Sequence, residues 1–260
     1  MRYQSTTGLN HDDILKLVVR IHDVLQSRGV SLQDHSLGLY QQVALTLILL
    51  RQNISQMVAG DMYGVSQPTV SRIHQRIVPL LEVVLAFTGI SLEQAVSQKH
   101  LILVDGTYVP TGNRPASGRE KANYSGKHHV QCLSIQVACT HDGQLIAISD
   151  PIPGSRHDYK ALELTGWNHI LDHDHVSWIA DTAYIATTAL TPIKKTRGCD
   201  RLDWEKEFNR SVASMRAPIE HAIGHLKNWK ILAKGYRGRL ADLPDIIRVI
   251  TKLELYRIGW

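Results

Sequence analysis

Cysteines and long apolar runs are scarce in this chain of 260 residues. The cysteines are three, an odd number scattered along the chain: Cys132, Cys139 and Cys199. No CxxC pair is present, so neither a cysteine-based zinc site nor dithiol redox chemistry is expected. The longest strongly apolar run, 43–50, stops at Arg51, whereas a membrane-spanning helix needs about 18 apolar residues. These absences favour a protein of the reducing cytoplasm that does not enter a membrane.

The sequence predicts neither export nor segments of disorder. Residues 1–8 are polar and contain no apolar core followed by a cleavage site, so we do not expect export. With 43% hydrophobic and 20% charged residues, the composition is that of a globular rather than a disordered protein. The length allows one sizeable domain and a small accessory domain. We predict a helical domain over 1–90 and a second domain over 91–260, with 83–89 as the connection.

The charge of the chain is a weak indication of a polyanionic partner. The net charge is +5 and the isoelectric point is about 9.1. Lys and Arg are concentrated in the last quarter of the chain, between Lys194 and Arg248. Binding of such a segment to a phosphate backbone is favoured by the release of counterions. A basic surface that is merely solvated remains the alternative.

The amino-terminal third has the spacing of helices. Apolar residues recur at helical intervals over 12–25 and 37–50, which predicts two helices. The segment 54–77 predicts a helix, a tight turn and a second helix. Its first helix is expected to have an apolar inner face formed by three residues: Met57, Val58 and Met62.

Cap and turn residues mark the ends of these two short helices. Ser55 and Ser66 stand where the side chain of an N-cap residue is needed, and Gly64 supplies the turn. Pro68 falls in the first turn of the second helix, where a missing amide costs little. The segment therefore has the layout of a helix-turn-helix.

The second helix of this segment is a candidate recognition helix. Val70, Ile73 and Ile77 form its inward face. Five of its polar residues are of the types that contact base edges and phosphates in a major groove: Gln67, Thr69, Ser71, Arg72 and Arg76. This layout predicts binding to double-stranded DNA. A plain helical hairpin packed against the rest of the protein is the alternative.

After His100 the spacing changes from helices to strands. Strands are predicted over 101–104, 130–140, 145–149 and 176–180, with the second and third joined as a hairpin. Asp105 follows the first of them and Asp181 follows the last. This order of strands and helices, with acids at two strand ends, predicts a mixed α/β domain with an RNase H-like fold.

A third acid, Glu220, lies in the amphipathic segment 215–232, which predicts a helix. Arg216 and Lys227 fall on the same side of that helix as Glu220. One acid between two bases is also the pattern of surface ion pairing, which contributes less than about 1 kcal/mol.

Five motifs in sequence order resemble the DDE superfamily endonucleases of Harbinger-like transposons and related bacterial insertion sequences. They are Val-Asp-Gly-Thr around Asp105, Tyr-Ser-Gly-Lys at 124–127, Gly-Ser-Arg-His-Asp at 154–158, Ala-Asp-Thr-Ala-Tyr around Asp181, and Arg-x₃-Glu-x₆-Lys from Arg216 through Glu220 to Lys227. The resemblance extends from about Leu37 to the end and includes a helix-turn-helix in front. Two positions depart from the family pattern: Ala213 replaces a frequent Tyr, and Thr182-Ala-Tyr184 replaces Lys-Gly-Tyr.

The resemblance implies a transposase that cuts DNA and joins it to a new site. Such an enzyme binds the terminal inverted repeats of its element and the target DNA, acts as a homo-oligomer, and is associated with the bacterial nucleoid in the cytoplasm. Its cofactors would be two Mg²⁺ or Mn²⁺ ions, with Asp105 bridging them and Asp181 and Glu220 each completing one. The resemblance also implies DNA contacts by three basic residues: Lys127, Arg216 and Lys227.

Asp158 and Asp181 are both candidates for the second acid. Asp181 directly follows a strand, as the second acid of an RNase H-like fold must, whereas Asp158 opens a helix. We therefore predict that Asp181 binds metal and that the Asp158 side chain caps its helix. Two other functions stay open: a DNA nuclease that does not transpose, and a DNA-binding repressor that has lost catalysis.

Overall fold

The computed structural model of the protein describes residues 3–30, 36–85, 90–112 and 120–258, without the side chains of Tyr3 and Glu120. Packing separates the chain into two compact units. The helical unit comprises Met1–Thr88 and Leu226–Trp260, and the sheet unit comprises Gly89–His225. Part of the predicted connection, 86–89, lies outside the described residues.

The described elements confirm a mixed α/β protein that begins with helices. The helices are α1 (Tyr3–Thr7), α2 (His11–Ser27), α3 (Leu39–Gln52), α4 (Gln56–Tyr63), α5 (Gln67–Val84), α6 (Leu92–Ser97), α7 (Glu120–Asn123), α8 (Asp158–Leu164), α9 (Asn168–Leu171), α10 (Asp203–Lys227) and α11 (Leu243–Ile258). The strands are β1 (Ile102–Pro110), β2 (Tyr124–Ser125), β3 (Val130–Thr140), β4 (Leu145–Ile148), β5 (Ile152–Pro153) and β6 (Trp178–Ile179). Among the helices described, none is long and apolar enough to cross a membrane.

Amphipathic helices build the helical unit. Helix α2 begins after Asn10, whose side chain accepts a hydrogen bond from the backbone N–H of Asp13. It buries Ile14, Leu17 and Ile21 at helical spacing. Helix α3 packs against α1, α2 and α5. The helices predicted over 12–25 and 37–50 are thus confirmed, with ends shifted by a few residues.

The packing of the carboxyl-terminal segment differs from the predicted domain boundary. The sequence predicts a single domain over 91–260, but Leu226–Trp260 packs with the amino-terminal helices. Trp229 is fully buried there, its Nε1 donates to Glu254 Oε2 at 3.0 Å, and Arg51 lies 5.2 Å from its ring centroid. Helix α11 packs against α5. The apolar face of α11 finds its partner far away in sequence, and local spacing carries no information about such a contact.

Helices α4 and α5 form the predicted helix-turn-helix. Ser55 Oγ accepts a hydrogen bond from the Val58 N–H at 3.2 Å, and Ser66 Oγ accepts one from the Thr69 N–H at 3.4 Å. Gly64, at φ 66°, ends α4 in the left-handed conformation that a side chain disfavours. The inward residues of α5, Val70, Ile73 and Ile77, are buried as predicted.

The predicted inner face of α4 is wrong. Met57, Val58 and Met62 are 69%, 47% and 60% exposed. The buried side of the helix instead contains Gly60, where a Cβ atom would lie 2.5 Å from the carbonyl oxygen of Val65. The backbone of the following turn approaches α4 so closely that only a residue without a side chain fits there.

Strand β3 organises the sheet unit. It pairs antiparallel with β1 in a continuous register from Ile102↔Thr140 to Pro110↔Cys132. Strands β2, β4 and β5 also pair antiparallel with β3, which confirms the predicted hairpin of 130–140 with 145–149. On the other side of β1, strand β6 pairs in parallel.

Three elements begin or end at residues other than those predicted from the sequence. The run 101–104 continues to Pro110, so Asp105 lies inside β1 rather than at its end. Of 176–180, only Trp178–Ile179 is strand. The helix predicted over 215–232 begins at Asp203 and ends at Lys227. Strand β1 extends past its apolar run because β3 offers hydrogen-bond partners along its whole length.

One face of the sheet carries the apolar core of this unit. Ile102 and Val104 of β1 point to that face and pack with Ala138 of β3, Trp178 of β6 and Tyr184. Helices α6, α8 and α9 contribute buried residues to the same cluster. The core ends at Gly106, the next residue of β1 on this face.

The close approach at Gly60 gives the first prediction. A Gly60→Ala substitution should lower the free energy of unfolding of the helical unit by about 1–3 kcal/mol, because the α4–α5 turn must move to admit the methyl group. Calorimetric unfolding of the whole protein measures this. Gly224, a helical glycine with no atom within 4 Å of an added Cβ, is the control. Gly224→Ala should be neutral or stabilising by up to about 1 kcal/mol, and equal effects of both substitutions would contradict the packing at Gly60.

Candidate active site and nucleic-acid interface

Two of the predicted acids are brought together by neighbouring strands. Strand β6 pairs in parallel with β1 through Leu103↔Ile179. Asp105 and Asp181 each lie two residues beyond that pair. The side chain of Asp181 accepts a hydrogen bond from the Ala183 N–H at 2.8 Å, which holds its carboxylate at the start of a short 3₁₀ helix. The strand pairing therefore places both acids side by side where β6 ends against β1.

Asp105 is a largely buried carboxylate that is paired with a cation. Its Oδ2 lies 3.0 Å from Nη2 of Arg216, and the two side chains are 21% and 12% exposed. Its Oδ1 accepts a hydrogen bond from the Gly106 N–H at 2.8 Å. Burial raises the pKa of Asp105 to about 6; Arg216 opposes this rise, and the charge of Asp181 adds to it.

Asp158 does not cap its helix, in contrast to the prediction from sequence. The N-cap position of α8 is His157, and Asp158 is the first helical residue. The Asp158 carboxylate instead lies against β1, where a Cβ atom at Gly106 would be only 2.6 Å from its Oδ1. Lys127 Nζ lies 3.9 Å from its Oδ2. Burial raises the pKa of Asp158, Lys127 opposes the rise, and Asp181 adds to it.

Asp158 and Asp105 lie on opposite faces of β1. Consecutive residues of a strand point to opposite faces, so the face of Gly106, on which Asp158 lies, is opposite to the face of Asp105. Asp158 therefore belongs to the core side of β1, whereas Asp105 and Arg216 lie on the other side.

A buried polar pair borders the Asp158 carboxylate. The hydroxyl of Tyr184 donates to Gln136 Oε1, and both side chains are fully buried. Gln136 is paired with Gly106 across β1 and β3, and its Nε2 lies 3.4 Å from where a Cβ of Gly106 would be. Within the described chain, this Nε2 has no hydrogen-bond partner. Burial, followed by the charge of Asp158, raises the pKa of Tyr184 well above its usual value, so its hydroxyl stays protonated.

Gln136 and Tyr184 were not anticipated as site residues. Tyr184 ends the Ala-Asp-Thr-Ala-Tyr motif, which is the one sequence signal that could have suggested it. Gln136 is one of several polar residues of β3, and only the pairing register reveals its role.

Glu220 is not part of the acid cluster in the structure. It is exposed on α10, one turn beyond Arg216, and it is Arg216 that contacts Asp105. Lys227, the other predicted basic residue of this helix, donates from Nζ to the backbone oxygen of Leu232 at 3.1 Å. In the described ranges no three His, Cys, Asp or Glu side chains are arranged to hold a metal ion.

The chemistry of the cluster nevertheless fits a divalent cation in part. Asp105 and Asp181 supply oxygen donors only, as Mg²⁺ and Mn²⁺ prefer. Their charges repel each other at partly buried positions, and the Arg216 guanidinium already offsets this repulsion at Asp105. A cation at these two carboxylates would therefore be favoured electrostatically, with Glu220 as the nearest acid along α10.

The outer face of α5 is the candidate nucleic-acid interface. Gln67 and Arg72 are exposed and Ser71 is half-buried, and Gln75, which the sequence reading did not single out, is exposed one turn after Ser71. Thr69 is half-buried. It belongs to the helix cap, since its hydroxyl lies 3.0 Å from Ser66 Oγ.

Arg76 is predicted from the sequence to face a major groove, but in the structure it is not freely exposed. It is half-buried, and its guanidinium donates to Gln42 Oε1 of α3. Arg76 thus lies on the side of α5 that faces α3. Arg72, one turn earlier on the same helix, is the more accessible arginine.

Both parts of the chain match known families. The DDE superfamily endonuclease model matches residues 104–254, and the model for the helix-turn-helix of DDE superfamily endonuclease matches residues 35–87. The chain is 30% identical over 200 residues to a protein assigned as a transposase for insertion sequence element IS112 from Streptomyces albus G, covering 76% of this chain and 72% of that protein. It is 30% identical over 148 residues to a protein assigned as a transposase for IS702 from Microchaete diplosiphon, covering 55% and 52%. No solved structure matches significantly.

The raised pKa of Asp105 gives a prediction for stability against pH. Because the pKa of Asp105 is about 6 in the folded protein and 3.8 ordinarily, this carboxyl group is protonated to a greater extent in the folded than in the unfolded state between these values. Asp105 should therefore make the protein less stable as pH rises from about 4 to 6. Compared with wild type, Asp105→Asn should lose less stability across this window in calorimetric unfolding.

The matched control is Asp174→Asn, which makes the same chemical change at an exposed acid of the sheet unit. It should follow the wild-type pH dependence. If Asp105→Asn also followed the wild-type curve from pH 4 to 6, the environment described for Asp105 would be wrong.

Proposed function

Because the chain belongs to the DDE superfamily endonucleases and carries their helix-turn-helix, we propose that it is a transposase. It binds the terminal inverted repeats of its element, cleaves the DNA strands there and transfers them to target DNA. Asp105, Asp181 and Glu220 form the catalytic triad. The observation that carries this proposal is the neighbouring position of Asp105 and Asp181 where β6 ends against β1, with Arg216 one turn before Glu220.

The strand arrangement supports an RNase H-like catalytic domain. Strand β1 lies between an antiparallel neighbour, β3, and a parallel neighbour, β6, and β4 lies on the far side of β3. The first acid thus stands on a central strand and the second follows the strand added in parallel. This is the order expected from the sequence for such a fold.

Three carboxylates and two metal ions suit the reaction that a transposase performs. Bound Mg²⁺ or Mn²⁺ ions would activate the attacking oxygen and stabilise the leaving oxygen of the phosphodiester. Asp105 and Asp181 would hold the metals from the sheet, and Glu220 would complete the set from α10. Arg216 keeps Asp105 ionised although it is largely buried, so that its oxygens are available as anionic ligands.

The helix-turn-helix would bring the DNA to the protein through α5. Its amino-terminal half presents short polar side chains and one accessible arginine, Arg72, which is the pattern of base and phosphate contacts in a major groove. Gln75 extends this face by one turn. Lys127, an exposed cation 3.9 Å from Asp158 Oδ2, would contact a DNA phosphate.

Removal of the metal ligands should separate cleavage from binding. Asp105→Asn, Asp181→Asn and Glu220→Gln should each reduce metal-dependent nicking of terminal-repeat DNA to background, because a carboxamide supplies no anionic ligand. Binding to the same DNA should change little. Nicking assays in Mn²⁺ and electrophoretic shifts of the full-length protein measure the two properties.

Asp158→Asn is the matched control for these variants. It removes the charge of an equally buried acid that lies on the opposite face of β1, so measurable cleavage should remain. An inactive Asp158 variant together with an active Asp181 variant would move the metal site. Wild-type protein that binds terminal-repeat DNA without nicking it in Mn²⁺ would instead favour the repressor.

Arg72 should contribute to the recognition of DNA sequence. Arg72→Ala should weaken binding to the terminal repeat by about 1–3 kcal/mol if the guanidinium contacts a base edge, with a smaller loss on duplex DNA of arbitrary sequence. Arg76→Ala is the control, because that side chain contacts Gln42 of α3. Equal losses for the two variants on both DNAs would contradict recognition through Arg72.

A further inference from the structure

A run of cations without acids lies outside the helix-turn-helix. In 227–239, here called the basic segment, the charged residues are all Lys or Arg: Lys227, Lys230, Lys234, Arg237 and Arg239. By sequence, the segment falls in the range that matches the endonuclease model, 104–254. By packing, it belongs to the helical unit together with α4 and α5.

Hydrogen bonds hold the basic segment beside the helix-turn-helix. Asn53, between α3 and α4, donates from Nδ2 to the backbone oxygens of Gly235 at 3.1 Å and Lys234 at 3.4 Å. The Tyr236 side chain, which follows in sequence, is buried. Asn53 lies two residues before Ser55, the cap of α4. These contacts fix the backbone of the segment relative to the two helices.

The segment forms one wall of a groove beside the recognition helix. The groove has a volume of about 840 Å³. Its lining includes Gln67, Ser71 and Gln75 of α5 and residues 236–239 of the basic segment. Arg237 and Arg239 line the groove with exposed side chains, and Lys234, also exposed, lies two residues before this lining. Cations therefore stand next to the same stripe of α5 that carries the polar residues of the candidate DNA-binding face.

The negative charges of two acids that line the groove are already balanced by ion pairs with neighbouring arginines. Asp242 Oδ2 lies 3.3 Å from Nε of Arg239, and Asp245 pairs with Arg248. In the described residues, neither Lys234 nor Arg237 has such an ion pair. These two exposed cations are the ones whose charge remains for an external anion.

We propose that Lys234 and Arg237 bind the sugar-phosphate backbone of the DNA whose major groove receives α5. The inference rests on the proposed DNA binding and adds a second, sequence-independent contact to it. A helix that enters a groove about 12 Å wide has phosphates on both rims, so cations fixed beside the helix meet one of the two strands. The carboxyl-terminal segment thus completes the DNA-binding surface of the amino-terminal helices.

The dependence of DNA affinity on salt tests this assignment directly. The full-length protein is titrated with a 20-base-pair duplex of arbitrary sequence and with a terminal-repeat duplex at several KCl concentrations. Each phosphate contact contributes about 0.9 to the slope of log affinity against log salt. Lys234→Ala and Arg237→Ala should each lower the magnitude of this slope by about 1, and the double variant by about 2.

Sequence independence distinguishes these residues from a base-reading arginine. The two variants should lose the same factor in affinity on both duplexes, whereas Arg72→Ala should lose more on the terminal repeat. Arg28→Ala removes an equally exposed arginine at the end of α2 that does not line the groove, and it should leave the slope unchanged. All variants should keep the wild-type thermal midpoint, because the altered side chains are exposed.

The results separate this inference from the proposed function. If Arg72→Ala weakens binding but the Lys234 and Arg237 variants keep the wild-type slope, the basic segment does not contact DNA and the inference alone is wrong. If Arg28→Ala lowers the slope as much as Arg237→Ala, the effect reflects total charge, and the inference is again wrong. If the wild-type protein binds neither duplex at low salt, both the inference and the proposed function are overturned.

Discussion

The pairing of β1 with β3 is the constraint on which the rest of the candidate active site depends. Its register places Gly106 opposite Gln136 and Asp105 opposite Val137. Because side chains alternate along a strand, one residue step separates the face that holds Asp105 and Arg216 from the face that holds Asp158. A Cβ atom at Gly106 would lie 2.6 Å from Asp158 Oδ1, so any other residue there would displace the Asp158 carboxylate. Strand β6 then adds to the free side of β1 and delivers Asp181.

Electrostatics connects this arrangement to the proposed chemistry. Burial raises the pKa of Asp105, and the positive charge of Arg216 lowers it and so favours the ionised carboxylate. Arg216 and Glu220 are neighbours on the same helix, so the position of α10 relative to β1 governs both the ion pair and the third acid. In the structure the arginine contacts Asp105 and Glu220 is exposed. Metal binding by the proposed triad would therefore require Glu220 to approach the two aspartates.

In the helical unit, the helix-turn-helix is local in sequence, but residues far along the chain pack against it. Its helix-turn-helix is assembled from short-range signals: serine caps, a left-handed glycine and an apolar stripe on α5. Its other contacts come from the end of the chain, through Trp229, Tyr236 and α11. A fragment that ends near residue 90 would expose the surface that α11 covers. The folding of these helices, and the basic surface proposed beside them, therefore depend on the carboxyl-terminal segment.

The sequence by itself determined the helix-turn-helix, its caps, the α5 inward face, the β3–β4 hairpin and the family, because these follow from residue types at short, fixed spacings. It did not determine the inner side of α4, where backbone approach at Gly60 outweighed the apolar character of Met57 and Met62. Only the tertiary structure decided that Asp158 lies against β1, that Arg216 pairs with Asp105, and that 226–260 packs with the first helices. Each of these is a contact between residues distant along the chain, and such contacts are set by packing and register rather than by local pattern.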